Sequence, residues 1–444
     1  MAISAPSGKI SSANLDSNQK YGTALSSLMV LFFMMGFITC FNDILIPYLK
    51  VIFKLNYTQV NLINLCFFGA YFVMSIPGGK LVQKYGYKAI MITGFVIAAI
   101  GCTLFYPAAE LRVYGLFLAA LFILATGITL LQVAGNPYVA VLGSPATASA
   151  RLTLTQALNS FGTFAAPYVG SYLILSKLPE MPAGLDKLES YADLPESLSV
   201  LLNDILAKTE LVYLQGTYLA IAAVLLVIGG ALFFMKLPAI GHGESEISTE
   251  GLAEKSSIWK YRHLVLGMIG IFSYVGAEVA IGSHIVNYLG MKDVMGMSPI
   301  KAGTYVSYYW GGAMVGRFLG TYILSKFKPG KVLGVFAIGA ISLILISIAS
   351  QGLIAMWTLI LVGLFNSLMF PTIFTLSIKG LGKYTDQASG LLCTSIVGGA
   401  ILPLLFATVA DETGGNLKLA LIIPIICYLY ISFFGFKGHK PAEN

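Results

Sequence analysis

Charged side chains are scarce in this chain. Aspartate, glutamate, lysine and arginine make up 11% of its 444 residues, whereas soluble globular domains carry roughly 25%. Hydrophobic residues make up 57%, and the mean hydropathy is +0.81. A soluble protein with a large core does not show such a deficit of charge, so the composition indicates a protein that lies mostly within a lipid bilayer.

Cysteine is also rare, with five residues in the whole chain. The five cysteines lie singly in apolar runs without the spacing of metal ligands, so we expect packed free thiols and no structural metal.

The formal net charge of +7 comes from positive residues scattered among short loops, so no nucleic-acid partner is expected. No Ser/His/Asp set, metal cluster or phosphate-binding loop lies near an aqueous face, and we therefore expect neither an enzyme nor a cofactor.

Long apolar runs dominate the chain instead. A helix needs about 20 apolar residues to cross the hydrocarbon core of a bilayer, and twelve stretches meet that requirement. The sequence therefore predicts an all-α membrane protein with twelve transmembrane helices. Their approximate bounds are 23–49, 58–82, 88–107, 112–142, 150–176, 211–236, 262–289, 300–325, 331–350, 353–379, 387–410 and 417–437.

Two longer polar interruptions organise these spans. Residues 177–210 carry seven acidic residues and are predicted to form an external loop, whereas residues 237–261 are predicted to form a cytoplasmic linker between two halves. The predicted order is a tail (1–22), a first six-helix half (23–236), the linker, a second six-helix half (262–438) and a tail (439–444).

Lysine and arginine are distributed unevenly between the two sides of these spans. With the N-terminus in the cytoplasm, 17 of them fall on the cytoplasmic side and 9 on the outer side, and Arg317 lies within the eighth span. Short cytoplasmic loops carry an excess of positive residues. The sequence therefore predicts that both termini are cytoplasmic.

Acidic residues are almost confined to loops and tails, with two exceptions. Asp43 in the first span and Glu278 in the seventh lie well inside apolar helices. A charge at bilayer depth is costly and indicates a functional site, so both are candidate carriers of a coupling ion, H⁺ or Na⁺. Asn42, beside Asp43, is a candidate to share ligation of Na⁺. The alternative for both carboxylates is a structural ion pair or a protonated buried carboxyl group.

An internal repeat links the two carboxylates. Asp43 and Glu278 are 235 positions apart, Pro137 and Pro371 are 234 apart, and a further proline pair, at 167 and 403, is 236 apart. A near-constant offset indicates two homologous six-helix halves. Both acids are then expected near the interface between the halves, where substrate and coupling-ion sites belong.

Four amides interrupt the apolar sequence of the fourth and fifth spans. Gln132 and Asn136 are four positions apart, and Gln156 and Asn159 are three apart, so each pair lies on one helix face. An amide in hydrocarbon needs a partner, and it offers both the donors and the acceptors that a polyhydroxylated ligand requires. We interpret the four as half of a sugar-sized cavity. The alternative is hydrogen bonding between helices alone.

The second half supplies further candidates. Asn366 is 234 positions after Gln132 and is expected to complete the cavity, together with Glu278 and Asn287. Trp310, in the run Tyr-Tyr-Trp at 308–310, offers an aromatic face to a sugar ring, although such aromatics also act as interfacial anchors. Pro137 is also predicted to leave the carbonyl of Val133 without its helical partner.

The loop between the second and third spans reads GKLVQKYGYK, residues 79–88. It resembles the loop motif of the major facilitator superfamily, Gly-x-Leu-x-Asp-Arg-x-Gly-Arg-Lys, with Gln83 in place of the Asp and Tyr87 in place of the second Arg. A partial echo in the second half reads GRFLG, residues 316–320. With the twelve spans and the repeat, this resemblance implies the major facilitator fold.

At a finer level the chain is similar to the fucose:proton symporter family, in its bacterial glucose/galactose transporter branch. The resemblance covers about residues 22–438. It implies a monomer in a bacterial inner membrane that imports a hexose, such as glucose or galactose, driven by a cation gradient. The stretches that carry it are FNDILIPYLK (41–50), FYPAAE (105–110), LQVAGNPYVAVLG (131–143), QALNSFGT (156–163), YVGAEVAIGSHIVNY (274–288), YYWGGAMVGRFLG (308–320) and FNSLMFPTIF (365–374).

Within this resemblance, Asp43 matches the family's carboxylate in span one, and Gln156 and Asn159 match its polar pair in span five. The chain departs from the pattern elsewhere. L-fucose permeases of the family carry Glu in span four, where this chain has Gln132, and Gln in span seven, where it has Glu278. The membrane acid has in effect moved to the opposite half.

Other functions stay open at this point. Uptake of N-acetylglucosamine or another monosaccharide fits the same features. A drug/proton antiporter is expected to have a mainly aromatic cavity, in contrast to the four amides. A membrane sensor without transport requires a signalling domain, and the longest polar stretch within the chain is the loop of residues 177–210.

Overall fold

The first five helices of the chain follow one another with at most six residues between consecutive helices. The structure is a computed structural model that describes residues 19–53, 55, 57–174, 211–238 and 257–441. Gly86, with a φ of 85°, is the single residue between the second and third helices and belongs to the loop motif. The helices are α1 (Gln19–Ile52), α2 (Tyr57–Tyr85), α3 (Tyr87–Leu111), α4 (Tyr114–Val141), α5 (Ala148–Leu173) and α6 (Val212–Phe234).

The second half repeats this arrangement with three spans interrupted. The predicted tenth span, 353–379, is broken at residues 367–368, a few residues before Pro371. Spans eleven and twelve are likewise each built from two consecutive helices. The helices are α7 (Arg262–Gly290), α8 (Pro299–Lys326), α9 (Pro329–Ala349), α10 (Gly352–Asn366), α11 (Met369–Ser377), α12 (Thr385–Thr394), α13 (Gly398–Glu412), α14 (Leu417–Ala420) and α15 (Ile422–Phe433).

Several predictions fall outside the described residues. They concern the external loop at 177–210, most of the linker, most of the N-terminal tail and the last three residues. The helix α1 includes Asn42 and Asp43, but their side chains lie outside the described part as well. The domain boundaries therefore stay predictions.

Ten helical segments of the described residues are long and apolar enough to cross a membrane. The remaining two spans are α5 and α8, which have 26 and 28 residues but carry more polar side chains. These two helices pack against each other between the halves. Their polarity follows from this position, because an interface between halves is shielded from lipid. The predicted twelve-helix architecture is confirmed.

Pairing between helices follows the internal repeat. In the first half α1 packs on α5, α2 on α4, and α3 on α4 and α6. In the second half the equivalent spans make the equivalent pairs: α7 with α13, α8 with α10, and α9 with α10 and α15. The halves meet through α5 with α8 and through α2 with α12, which are again equivalent pairs. The two halves are therefore pseudo-symmetric in packing as well as in sequence.

The loops at one end of the second half are tied together by an ion pair. The Lys418 ammonium lies 2.7 Å from the Asp293 carboxylate and also donates to the carbonyl of Ser350 at 2.8 Å. The amide of Gly352 donates to the carbonyl of Asp293 at 3.3 Å. The loops after α7 and α9 are joined in this way to α14, which carries Lys418.

Candidate functional site

The two halves are in close contact at the end of the bundle that carries the loop motif, which we call the closed end. Tyr87 donates a short hydrogen bond to the carboxylate of Asp386 at the start of α12. Gln387 donates to the side-chain oxygen of Gln83 at 2.8 Å. The motif's missing Asp and Arg are thus replaced by Gln83 and Tyr87, and the acid stands on the opposite half.

Small residues allow the backbones to approach at the closed end. A Cβ atom at Gly390 would lie 2.5 Å from the carbonyl oxygen of Ser75, closer than any side chain tolerates. On the other side of the interface, the hydroxyls of Ser149 and Thr375 lie 2.6 Å apart and join α5 to α11. The closed end is therefore sealed along both inter-half seams.

The opposite end, which we call the open end, holds a cavity of about 700 Å³ between the halves. Phe164 and Tyr168 of α5 line one wall, and Tyr308 of α8 and Leu361 of α10 line the facing wall. Tyr168 is 65% exposed and Tyr308 is 57% exposed. Tyr308, rather than its neighbour Trp310, is the residue of the predicted aromatic run that faces this space.

Three of the predicted amides of the first half form one hydrogen-bonded chain. Gln132 donates to the hydroxyl of Tyr71 on α2 at 3.0 Å. Asn136 donates to the side-chain oxygen of Gln132 at 3.5 Å and accepts from Gln156 at 3.3 Å. Asn136 and Gln156 are buried, whereas Gln132 is half-buried. The chain thus connects α2, α4 and α5 and leaves Gln132 accessible.

Asn159 is set apart from that chain. Its amide donates to the carbonyl of Phe32 on α1 at 3.0 Å, and the side chain is half-buried. Asn159 therefore ties α5 to α1, the helix that carries Asp43. The predicted amide set is brought to one region, although its four members are not all bonded to one another.

The second half contains a corresponding polar chain around its acid. Glu278 is buried and accepts from the hydroxyl of Tyr274 at 2.7 Å. Tyr309 donates to the backbone carbonyl of Glu278 at 3.1 Å and accepts from Asn366 at 2.8 Å. The hydroxyl of Tyr428 donates to Asn366 at 2.7 Å. Four spans, the seventh, eighth, tenth and twelfth, meet in this chain.

The other predicted residues of the second half lie at its margin. Trp310 is half-buried, with its ring against Gly282 of α7. Asn287 is exposed, nine positions after Glu278. His284 bonds to the carbonyl of its own helix at Ala280 and packs on Phe406, so it serves packing. The structure does not bring Trp310 or Asn287 into the polar chain.

The carbonyl that Pro137 leaves without a helical partner is satisfied from the other half. The hydroxyl of Ser389 on α12 donates to the carbonyl of Val133 at 2.8 Å, and Ser389 is fully buried. The helix α4 stays continuous through Pro137. The predicted loss of one helical bond thus becomes a contact between halves.

Pro371 has the same effect in the second half. The carbonyl four positions earlier, at Ser367, accepts from the Nε of Arg317 at 3.1 Å. The same guanidinium donates a short hydrogen bond to the hydroxyl of Ser160 on α5. Arg317 also interacts electrostatically with Glu278, without a direct ion pair between them. It therefore links the acid, the broken tenth span and the opposite half.

The amides, the acid and the prolines could be identified from the sequence, but their partners could not. Tyr71, Tyr274 and Tyr428 were missed, because a tyrosine in an apolar helix is not distinctive. The spacing of Tyr274 four positions before Glu278 was an available signal. Nothing in the sequence singles out Ser389 among the serines of the membrane spans.

Comparison with known proteins gives a consistent set of similarities. A family model described as "Major Facilitator Superfamily" matches residues 27–403. A protein of Brucella abortus named "Glucose/galactose transporter" is 49% identical over 440 residues, which are 99% of this chain and 100% of that protein. A "Putative glucose/galactose transporter" of Helicobacter pylori is 45% identical over 426 residues, 95% of this chain and 98% of that protein.

A solved structure resembles the fold over nearly the whole chain. The crystal structure of the Escherichia coli fucose:proton symporter superposes with a TM-score of 0.81 at 33% sequence identity. The superposition covers 96% of this chain and 100% of that one. The similarity in sequence and the similarity in structure therefore indicate the same group of proteins.

Proposed function

This chain belongs to the major facilitator superfamily and is a multi-pass membrane transporter, not an enzyme, and we propose that it imports a hexose such as glucose or galactose together with H⁺ or Na⁺. The observation that carries the proposal is the pair of polar chains, one in each half, that contain Gln132 and Asn366 at equivalent positions. The relatives named glucose/galactose transporters support the substrate class, and the relative named a proton symporter supports coupling to a cation.

The amides differ in exposure, and we propose different roles for them. Gln132 and Asn159 do not line the cavity at the open end, but they are half-buried and keep exposed polar surface, so we propose that they bind sugar hydroxyls directly. Asn136 and Asn366 are fully buried with their amides bonded, and Gln156 is nearly so. These three position the direct ligands in this state. Asn42, Asn287, Trp310 and Glu278 stay proposed contacts from α1, α7 and α8.

Coupling is proposed to occur at the two membrane carboxylates, Asp43 and Glu278. Binding of a cation or a proton removes a charge that is costly in the low-dielectric interior. If the neutralised site favours the sugar-ready state, then by linkage sugar must raise the affinity for the cation by the same factor. Glu278 is the better supported of the two, because it lies in the polar chain of the second half.

Transport is proposed to proceed by rocking of the halves around this region. We propose that the closed end, which carries the lysine-rich loops, faces the cytoplasm, with both termini on that side of the inner membrane. Sugar then enters from the open end. We propose that a monomer, divided at the 237–261 linker, is the working unit.

The test is uptake of radiolabelled glucose by proteoliposomes under separately imposed Na⁺ and pH gradients. Accumulation above equilibrium under one of the two gradients supports the proposal and identifies the cation. Unlabelled galactose is expected to compete, whereas protein-free liposomes serve as the control for leakage. Equilibration without accumulation under either gradient contradicts coupling, and absence of any protein-dependent uptake contradicts the substrate.

A further inference from the structure

We infer that Ser389 and Arg317 are positioning residues that hold the closed end shut. Each donates to a carbonyl that a proline leaves without a helical partner, and each bonds to the opposite half, Ser389 through that carbonyl and Arg317 through Ser160. Each donor, with its acceptor, forms what we call a latch. The first latch is Ser389 with Val133, and the second is Arg317 with Ser367 and Ser160. The inference rests on the proposed alternation between open and closed ends.

The first latch joins the halves directly. Pro137 cannot donate to the carbonyl of Val133, because proline has no amide hydrogen. The hydroxyl of Ser389 occupies that acceptor at 2.8 Å from the other side of the interface. Both groups are buried, so a carbonyl without this donor is left unsatisfied until water enters. The helix α12 can therefore separate from α4 only if water enters the closed end.

The second latch joins the halves through an arginine. Arg317 and Ser367 belong to the same half, and the guanidinium reaches α5 through Ser160. A Cβ atom at Gly316 would lie 2.6 Å from the side chain of Ser367, so this glycine lets α8 approach the break in the tenth span. The planar guanidinium presents its donors in a rigid fork, so it can serve both oxygens at once.

The two latches occupy equivalent places in the repeat. Val133 and Ser367 are 234 positions apart, the same offset as Pro137 and Pro371. Their donors lie on spans eleven and eight, two spans of the second half that contact the first half. One structural cause, a proline four positions after an acceptor, thus provides a hydrogen-bond site on each side of the interface.

The latches differ in their relation to the proposed coupling acid. Arg317 carries a charge that acts on Glu278, whereas Ser389 is neutral. Neutralising Glu278 is therefore expected to change the strength of the second latch and to leave the first unchanged. In a double-mutant cycle, E278Q and R317Q should be non-additive, and E278Q and S389A should be additive.

The experiment measures closure of the closed end without sugar. Gln83 is exposed, Gln387 is half-buried, and their side chains are bonded across the interface, so the Q83C/Q387C pair is expected to form a disulfide when that end is shut. The rate of oxidative cross-linking is followed in proteoliposomes. A protease site placed in the linker shows whether the halves are joined, because cleaved halves stay together only when the disulfide has formed. Losing one hydrogen bond corresponds to a shift of about fivefold in the closed fraction.

We expect S389A and S160A each to slow cross-linking about fivefold, with recovery in S389T, and R317Q to slow it at least as much. The matched control is T129A, which removes a buried hydroxyl bonded within its own helix. The glucose concentration for half-maximal uptake should change less than twofold in S389A. Cross-linking of S389A and S160A at the T129A rate would overturn the inference.

The outcome separates this inference from the proposed function. Slower cross-linking in a protein that takes up no hexose would support the latches and contradict the substrate. Normal uptake with unchanged cross-linking would support the substrate and contradict the latches. If R317Q fails to fold, S160A tests the same latch, because it removes the partner on the opposite half.

Discussion

The polar chains of the two halves are built on one plan but end in different chemistry. Each joins an amide on the fourth or tenth span to a tyrosine on the second or eighth, Gln132 with Tyr71 and Asn366 with Tyr309. The first chain continues through neutral amides toward α5, whereas the second closes around Glu278. The comparison indicates that the first half is suited to binding a polyol and the second to carrying charge.

Removing the charge of the second half should have the largest effect. We expect E278Q to reduce gradient-driven accumulation of glucose by about 100-fold, because the coupling between cation and sugar is lost. The amide side chain still accepts from Tyr274, so folding should be retained. The measurement is uptake with and without the gradient.

Exchange without a gradient provides the control for E278Q. It should continue in the variant, since exchange needs sugar binding but no coupling. The matched variant D43N removes the equivalent acid of the first half. Full accumulation in both variants would show that neither carboxylate carries the cation and would return them to a structural role.

The amide–tyrosine pairs should differ in their contribution to stability. N366L leaves the Tyr428 hydroxyl, a buried donor, without its acceptor, so we expect a loss of about 2–3 kcal/mol. Q132L removes a donor to Tyr71 and a long contact to Asn136, so we expect about 1 kcal/mol. Thermal unfolding in detergent, with Y428F as the control that removes the donor as well, would test this. Equal losses would mean that the pairs are equivalent after all.

The smallest effect concerns the loops at the open end of the second half. The hydrogen bond from Lys418 holds the pKa of Asp293 below its usual value of 3.8. A lowered pKa in the folded state means that the pair stabilises the protein above that pH and that the contribution is lost as the pH falls through the lowered value. For so exposed a pair we expect less than about 1 kcal/mol.

The melting temperatures of wild type and D293N should therefore differ slightly at pH 7 and converge below about pH 4. K418Q should cost more than D293N at every pH, because Lys418 also donates to the carbonyl of Ser350. A gap between wild type and D293N that stays constant down to pH 3 would contradict the assigned cause.

Much of the fold could be predicted from the sequence, for identifiable reasons. Hydrocarbon offers no hydrogen bonds, so spans must be long apolar helices, and their number and order are legible in composition alone. For the same reason a buried acid such as Glu278, or an amide such as Gln132, stands out as a polar group that needs a hydrogen-bond partner or a ligand. The constant offset between Pro137 and Pro371 is enough to indicate the repeat. These features can be read from single residues, from local runs and from spacing along the chain.

Which polar groups meet was decided only by the tertiary structure. Ser389 and Val133 are 256 positions apart, and Arg317 and Ser160 are 157 apart. Each pairing depends on the angle and the depth at which two helices cross, and no local pattern encodes these quantities. The sequence by itself determined that the carbonyl of Val133 would need a donor. Packing of one half against the other determined that the donor is a serine from the opposite half, because only that contact brings a hydroxyl to a carbonyl already buried from water.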